Sequence, residues 1–434
     1  MSQLTDYEFW ISNDAGVSRT LLNPYKGMGI IFFDYIRSTG GLGYLHFGMP
    51  LDDWNLLWVP GFQPDQQIQV LRSPGVPGYD KIEEGTFFLR KHRIYTRDSD
   101  SMRIIEVWCH SPLTLLNRRY IIQPSDTGYT SKNDNIDDMM KDIVREQMLF
   151  GYAVDQDGTV DTDRMYPQGE FSVEDEHSLG PVVERKFTDV NVLDTLKELR
   201  SLSFQLNLED PTNRKIYFDV VSGSTLNWNE IYILEEAEAF SPILDENDDP
   251  FLDERSLDSS PEKPSQFIFR TYADLRGQDR TNGVVFSVEN GNMTITSHTI
   301  DHIDEVNTVV VRGTGRGDNR LTAVTQDTDA ASASRWNRIE ATQNGSNQTD
   351  EDALLELGRS KLWDTRKVDL LDVAFMDSPG NPVQPRSLYR VDWDLGDLLP
   401  VNYVGVNYET EVQIIYISMS EDGQESISGR NIIE

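Results

Sequence analysis

Short runs of apolar and aromatic residues, broken by Gly and Pro, occur towards both ends of this 434-residue chain. The clearest runs fall at 29–35, 86–90, 102–108, 267–270, 284–288, 293–296, 308–312, 368–376, 398–406 and 411–419. Runs of this length between turn residues are typical of strands in antiparallel sheets. We therefore expect a small antiparallel barrel or sandwich at the N-terminal end and a second β-rich region at the C-terminal end.

Between and within these regions, apolar residues also recur at helical spacing. Three- and four-residue steps predict helices over 136–148, 192–204 and 350–367. Candidate N-caps are Asn133, Asp134 or Asn135 for the first helix and Thr349 for the third. Further strands are expected over 215–221 and 230–234, and an Asn-Gly signal over 289–292 predicts a tight hairpin. The centre of the chain is therefore expected to be an α+β region.

The length of the chain predicts about three domains. The expected division is a β-barrel domain over 1–111, an α+β domain over 112–265, and a second β-barrel domain over 266–434, assembled from discontinuous segments with helical and α+β insertions. Segment 241–263 carries eight acidic and two basic residues and is interpreted as an exposed loop. The predicted fold class is α+β and β-rich, with two small antiparallel β-barrels around an α+β region.

Charge restricts the possible partners of the chain. Acidic residues number 73 against 39 basic ones, which gives a formal net charge of -34 and a pI of about 4.4. Proteins that grip nucleic acid neutralise phosphates with clustered Lys and Arg, and the sequence has no such cluster. The composition thus argues against a nucleic-acid-binding protein and favours a highly soluble surface.

A single cysteine, Cys109, limits the chemistry further. One cysteine excludes an intramolecular disulfide, a multi-thiolate zinc site and an iron–sulfur cluster within one chain. The first residues show neither a basic region nor an apolar core of a secretion signal, and no apolar stretch of about 18 residues occurs. We expect folding in a reducing compartment and no membrane-spanning segment.

A glycine-rich segment after an apolar run suggests a phosphate-binding loop. Gly313, Gly315 and Gly317 follow the run 308–312, but their spacing fits neither of the common phosphate-loop patterns, and no apolar-periodic helix follows. A turn between two strands is the preferred interpretation, and no cofactor is expected.

Metal-ligand patterns are equally weak. The carboxylates of Asp155, Asp157, Asp161 and Asp163 are candidate calcium ligands, but the spacing departs from the EF-hand pattern and a solvated acidic loop is preferred. His298 and His302 stand four residues apart without the glutamate of a zinc-protease motif. No nucleophile elbow or catalytic triad signature is present, so no catalytic residue is predicted.

Several short motifs, in order along the chain, resemble one known family. They are Arg118, Arg119 and Tyr120 within 115–122; Val144, Arg145 and Glu146; Asp279, Arg280 and Thr281; Gly313, Gly315 and Gly317; Trp336 within 334–340; and Gly396 with Asp397. This series is similar to the siphophage hub-like tail proteins, which are related to the baseplate hub of contractile tails. The likeness runs from about residue 115 to the end and is strongest over 277–340, although 336–340 departs from the usual Trp-Gly-Arg-Arg-Glu motif of the family.

The resemblance implies a structural role without catalysis, in the tail tip of a virion assembled in the bacterial cytoplasm. Family members are expected to form a homotrimeric ring with two barrels of tail-tube type per chain, adapting a six-fold tail tube to a three-fold tip around the DNA channel. The implied partners are a distal tail or tail-tube protein, the tape measure protein, and spike or fibre proteins. Genomic DNA would be met only in passage during ejection.

Two other classes of function stay open from the sequence. One is a tail-associated hydrolase that cuts cell wall or polysaccharide with two carboxylates, which cannot be picked out among so many acids. The other is a receptor-binding adhesin that uses the aromatic residues Trp54, Trp58 and Phe62. Packing in a core or an oligomer interface is the commoner role of such aromatic residues.

Overall fold

A computed structural model of the chain shows a strand-rich protein. It describes residues 7–12, 20–22, 30–51, 62–73, 81–122, 130–150, 162–222 except 168, and 267–433 except 316, 347, 376, 377, 379, 382, 383 and 404. The acidic segment 241–263, the expected strand 230–234, and Trp54 and Trp58 lie outside these residues.

The N-terminal region consists of antiparallel strands. They are β1 (Tyr7–Ser12), β2 (Thr20–Leu21), β3 (Phe32–Ser38), β4 (Tyr44–Pro50), β5 (Gln67–Arg72), β6 (Ile82–Thr96) and β7 (Arg103–His110). Side chains alternate between two faces, so that Phe33 and Tyr35 are buried while the residues between and beside them are half-buried. The expected strands over 29–35, 86–90 and 102–108 are confirmed as β3, β6 and β7.

The central region combines helices with short strands. Its elements are α1 (Thr114–Asn117), β8 (Tyr120–Ile121), β9 (Thr130–Asn135), α2 (Ile136–Met148), β10 (Phe171–Val173), β11 (Val182–Phe187), β12 (Val190–Asn191), α3 (Val192–Glu209) and β13 (Ile216–Ser222). Both expected helices are confirmed, and α3 extends beyond its expected end. Asn135 is the N-cap of α2, but its side chain makes no capping bond.

The C-terminal region is again mostly strand. Its elements are β14 (Phe267–Ala273), β15 (Met293–Asp301), β16 (Thr308–Arg312), β17 (Thr322–Gln326), α4 (Thr328–Ser332), β18 (Glu340–Asn344), α5 (Glu351–Asp364), β19 (Val368–Phe375), β20 (Leu398–Tyr403), β21 (Val406–Met419) and β22 (Glu425–Ile433). The expectation that Thr349 caps α5 is wrong, because the Asp350 carboxylate accepts the free N–H groups of Asp352 and Ala353.

Strands from the two ends of the chain form one sheet, which has twelve strands among the described residues. Its order is β15-β19-β22-β21-β3-β4-β7-β6-β5-β1-β2, and β20 pairs with β21 outside this path. The junction is the antiparallel pairing of β21 with β3, in register from Ile414 opposite Ser38 to Met419 opposite Phe33. The expectation of a β-rich α+β fold is therefore confirmed.

In the part of the chain that the structure describes, three hydrophobic cores lie against these sheets. The large sheet encloses a core to which both ends contribute, with Phe47 and Val107 from one end and Trp393 and Ile415 from the other. A second core lies between α2, α3 and the small sheet β10-β14-β13. The third packs α5 against the sheet β17-β16-β18.

The run 284–288 is not a strand, and the hairpin expected at 289–292 is therefore wrong. Only Phe286 makes a single bridge, to Val401. The Asn292 side chain takes the place of a strand partner: its carbonyl oxygen accepts from the Ser287 N–H at 3.0 Å, and its amide donates to the Val285 carbonyl at 3.1 Å. Polar side chains satisfy backbone groups here that a ladder would otherwise bind.

Candidate functional site

Two motif segments that are far apart in sequence meet in the fold: residues 277–281, which follow β14, contact the turn at 396–397, which precedes β20. Gly396 has a φ of +86°, and a Cβ at this position would lie 2.8 Å from the backbone nitrogen of Gly277. The Gly277 N–H donates to the Gly396 carbonyl at 3.1 Å, and the Gly396 N–H donates to the Val412 carbonyl at 2.7 Å. The position requires glycine both for its backbone conformation and for this close approach.

Asp397 fastens the same turn with its side chain. One carboxylate oxygen accepts from the Gln278 N–H at 2.7 Å, and the other accepts from the Asp394 N–H at 2.8 Å. Arg280 Nε lies 2.7 Å from Asp397 Oδ2. Burial raises the pKa of Asp397 to about 6, although the Gln278 hydrogen bond and Arg280 oppose the shift.

Asp279 connects the segment 277–281 to its own turn and to β20. The Asp279 carboxylate accepts from the N–H and the hydroxyl of Thr281, at 2.9 and 2.7 Å. Asp279 also bridges to Leu398, and the Arg280 N–H donates to the Leu398 carbonyl at 2.9 Å. The structure thus brings Asp279, Arg280, Thr281, Gly396 and Asp397 together as one braced junction.

A buried group of charged side chains lies next to this turn and joins the ends of the chain. This ionic cluster consists of Arg37 on β3, Glu84 on β6, and Tyr389, Arg390 and Asp394 from the segment before β20. Arg37 Nη1 lies 2.9 Å from Asp394 Oδ1 and donates to the Tyr389 hydroxyl at 2.7 Å. Two cations and two anions therefore share one site in the interior.

Arg390 holds both acids of the ionic cluster. Its Nη1 lies 2.6 Å from Asp394 Oδ2, its Nε lies 3.3 Å from Glu84 Oε2, and the Tyr389 hydroxyl donates to the same Glu84 oxygen at 3.0 Å. Glu84 is 2% exposed. Burial alone would raise the pKa of Asp394, but Arg390 and Arg37 bring it well below its usual range. The charges compensate one another in a site where Glu84 is buried and the Asp394 side chain is one-quarter exposed.

A second buried pair joins the same two ends. Arg72 on β5 is 1% exposed, and its Nε lies 3.1 Å from Glu425 Oε1 on β22. The Tyr7 hydroxyl on β1 donates to the same carboxylate. Burial, together with the negative charge of Glu425, raises the pKa of Tyr7 well above its usual value.

The other motif residues lie elsewhere in the fold. Arg118 Nη2 lies 2.7 Å from Asp65 Oδ1, and the Arg119 guanidinium lies 4.7 Å from the ring centre of Tyr166. Tyr120 is exposed on β8. Arg118 and Arg119 thus tie this segment to its neighbours, and none of the three residues belongs to the ionic cluster.

The glycine segment forms the connection between β16 and β17. Gly315 has a φ of +103°, Gly317 has a φ of +57°, and Gly313 packs against α5, where a Cβ would lie 2.9 Å from Leu354 Cδ1. A short 3-10 helix, Gly317–Asn319, follows. The backbone geometry of this turn accounts for the glycines without a ligand.

The metal candidates are not assembled in the described part of the chain. Asp155, Asp157 and Asp161 lie outside it, and Asp163 lies in the 3-10 helix Thr162–Arg164. His298 lies on β15, whereas His302 follows it and places Nδ1 2.6 Å from Glu305 Oε2. Among the described residues, no group of three His, Cys, Asp or Glu side chains could hold a metal ion.

The residues of the ionic cluster were not among those predicted from sequence. Arg37 and Glu84 share their strands with other charged residues, such as Asp34 and Glu83, so the sequence carries no signal that separates them. Their pairing is expected only once the fold shows that these side chains are largely buried. Phe62, which was a candidate for a binding surface, lies in the large core.

Comparison with known proteins identifies the family of the chain. Residues 86–429 match the family described as Siphovirus ReqiPepy6 Gp37-like protein. The chain belongs to this family. Family members are siphovirus proteins, and a sequence search among curated proteins finds no significant match.

Solved structures share the fold. The tail protein of Neisseria meningitidis MC58 matches with a TM-score of 0.51 and 10% identity, over 99% of this chain and 96% of that one. The 43 kDa tail protein of prophage MuSo2 from Shewanella oneidensis matches with a TM-score of 0.50 and 10% identity, over 98% of both chains. The resemblance drawn from the motifs is confirmed, because the matched family is a siphovirus family and the two solved structures that share the fold are tail proteins.

The buried carboxylate of Asp397 gives a first prediction. Because the native state holds its proton to a higher pH than the unfolded chain does, wild type should lose stability relative to Asp397→Asn as pH rises from about 4 to about 7. The relative loss should approach about 3 kcal/mol for a shift of about two pH units. Urea unfolding of both proteins across this range measures it.

Asp279→Asn is the matched control, because the pKa of the exposed Asp279 is lowered by its Thr281 hydrogen bonds. A lowered pKa acts in the opposite direction, so wild type should not lose stability relative to Asp279→Asn as pH rises from about 4 to about 7. Parallel pH profiles of wild type and Asp397→Asn would contradict the assignment.

The glycine turn gives a second prediction. In Gly315→Ala the new Cβ would lie 2.3 Å from the Asn319 carbonyl oxygen, so the variant should lose about 1–3 kcal/mol of stability. Gly317→Ala, where no atom lies within 4 Å of the new Cβ, should lose only about 1 kcal/mol. Thermal unfolding compares them, and either equal stability of Gly315→Ala and wild type or tight nucleotide binding by wild type would refute the interpretation.

Proposed function

We propose that the chain is a tail hub protein, three copies of which form a ring that adapts the six-fold tail tube to a three-fold tip. The observation that carries the proposal is the single sheet made by strands from both ends of the chain, in a siphovirus family with a tail-protein fold. In this proposal β1–β7 form one barrel-like unit, and β15 with β19–β22 form the other.

Two similar units in one chain would allow three chains to present six positions to a tube. The β3–β21 ladder and the ionic cluster hold strands of the two units at fixed positions. A rigid link between the units is what an adaptor requires, because both must meet the tube at the same time. We propose the domain division that the sequence predicts, 1–111, 112–265 and 266–434, with the second barrel-like unit assembled from discontinuous segments.

Charge supports a role around passing DNA. Three copies with -34 each would carry a formal charge of -102. Acidic side chains facing a channel would repel the phosphates, and salt would confine this repulsion to within about 8–10 Å of the wall. The duplex would pass without adhering.

The proposed partners follow from this position in the tail tip. They are two further copies of the chain, the distal tail or tail-tube protein, the tape measure protein, and spike or fibre proteins. We propose no catalytic step, because the acids of the ionic cluster are neutralised by arginines in the interior. Among the described residues, no helix is long and apolar enough to cross a membrane.

Stoichiometry and position in purified tails test the proposal. Quantitative mass spectrometry should find three copies per particle, and antibody labelling in the electron microscope should place them on the axis at the tip. A peripheral position on the fibres would support an adhesin instead. Clearing of cell wall or polysaccharide in a zymogram, abolished by one Asp or Glu substitution, would support a hydrolase and overturn the proposal.

A further inference from the structure

A tryptophan points into solvent at the turn between α4 and β18. Trp336 is 85% exposed, although tryptophan is highly buried on average, and Ile339 beside it is 36% exposed. The proposed hub role assigns no task to this side chain. Tryptophan is enriched among the strong contributors to protein interfaces, which makes an exposed one a candidate interface residue.

The turn that carries Trp336 is firmly held. The Trp336 N–H donates to the Ser334 hydroxyl at 3.3 Å, and the Asn337 N–H donates to the Ser334 carbonyl at 3.2 Å. The Asn337 side chain donates to the Ala330 carbonyl in α4 at 2.8 Å. The backbone under Trp336 is therefore fixed from both sides.

Asn307 holds the same turn from beneath. Its side-chain amide donates to the Asn337 carbonyl, and its side-chain oxygen accepts from the Ile339 N–H at 2.9 Å. Asn307 is 1% exposed, so these bonds are protected from water. A side chain presented from such a base has little backbone entropy to lose on binding.

Trp336 has an arginine on either side in sequence. Arg338 Nε lies 2.7 Å from Glu340 Oε1, and the N-terminal end of α4 adds Asp327 and Asp329. Among the described residues, Arg335 is therefore the positive charge that this turn offers without an ion pair to a neighbouring acid. A second copy carries a net charge of -34, so an acidic surface is the kind that this spot meets with complementary charge. Tryptophan and arginine are also the residues most enriched among the strong contributors to protein interfaces.

We propose that Trp336 is an anchor of the contact between copies of this chain, inserting into an apolar site on a second copy while Arg335 and Arg338 face acidic side chains. The inference rests on the proposed function, in which copies form a ring. It adds the surface that one copy presents to the next.

Self-association of the full chain tests the inference. Analytical ultracentrifugation should show that Trp336→Ala weakens association by about thirtyfold, the effect of a strong interface residue. Phe150→Ala is the matched control, because Phe150 is an aromatic residue that is 51% exposed elsewhere, and its effect should be less than about threefold. Circular dichroism should show unchanged folding of both variants, since each side chain is exposed.

Charge provides an independent arm of the experiment. Arg335→Glu should weaken association by about tenfold at low salt, and the difference from wild type should shrink as salt increases. The fluorescence of Trp336 is obtained as the difference between wild type and Trp336→Phe. Acrylamide should quench this fluorescence less when wild type associates. A short single-stranded DNA serves as the competing probe, because an aromatic residue between arginines can also stack on bases.

The outcomes separate this inference from the hub proposal. Trimers of Trp336→Ala with wild-type affinity would overturn the inference and leave the hub role intact. A wild type that stays monomeric at all concentrations would overturn it as well. Trp336-dependent binding of the DNA probe without an effect on self-association would assign the residue to a different partner and refute the inference.

Discussion

The antiparallel ladder between β3 and β21 is the contact on which the rest of the structure depends. It joins residues that lie close to opposite ends of the chain, and it turns two strand series into one continuous sheet. The inward side chains along this ladder, among them Phe33, Tyr35, Ile415 and Ile417, belong to one core. Without the ladder, each half of that core would face water.

The ionic cluster fixes the register of this ladder more than it adds stability. Moving charges into the interior costs free energy that their mutual attraction roughly repays, so a buried pair is weak evidence for net stabilisation. A slip of one residue, however, would turn Arg37 to the other face of the sheet and leave Asp394 and Glu84 without it. Arg390 adopts a φ of +68°, which its contacts with both acids help to maintain.

Local pattern predicted much of the secondary structure and little of the pairing. Strands β3, β6 and β7 and helices α2 and α3 follow directly from apolar spacing. The run 284–288 has the same composition as a strand, yet Asn292 binds its backbone groups instead, and apolar spacing carries no trace of that side chain. Pairing between β3 and β21 depends on contacts between distant residues, which no local periodicity encodes.

The candidate site was likewise predicted only in part from the sequence. The order of the motifs along the sequence singles out Asp279, Arg280 and Asp397, and the structure joins these residues at one turn. Arg37 and Glu84 lie just outside the predicted strand runs 29–35 and 86–90, and only the fold shows that they face Arg390 and Asp394. No local pattern separates these two residues from other charged residues of the same strands, such as Asp34 and Glu83.

Hydrogen exchange of β3 and β21 in Arg390→Met tests the central claim most directly. Removing one cation leaves buried acids uncompensated, so amides in both strands should lose about 3 kcal/mol or more of protection together. Arg214→Met is the control, because its pair with Asp274 is about half exposed and should change protection by less than about 1 kcal/mol. Loss of protection in β21 with β3 unchanged would show that the two ends are not one cooperative unit and would contradict the account.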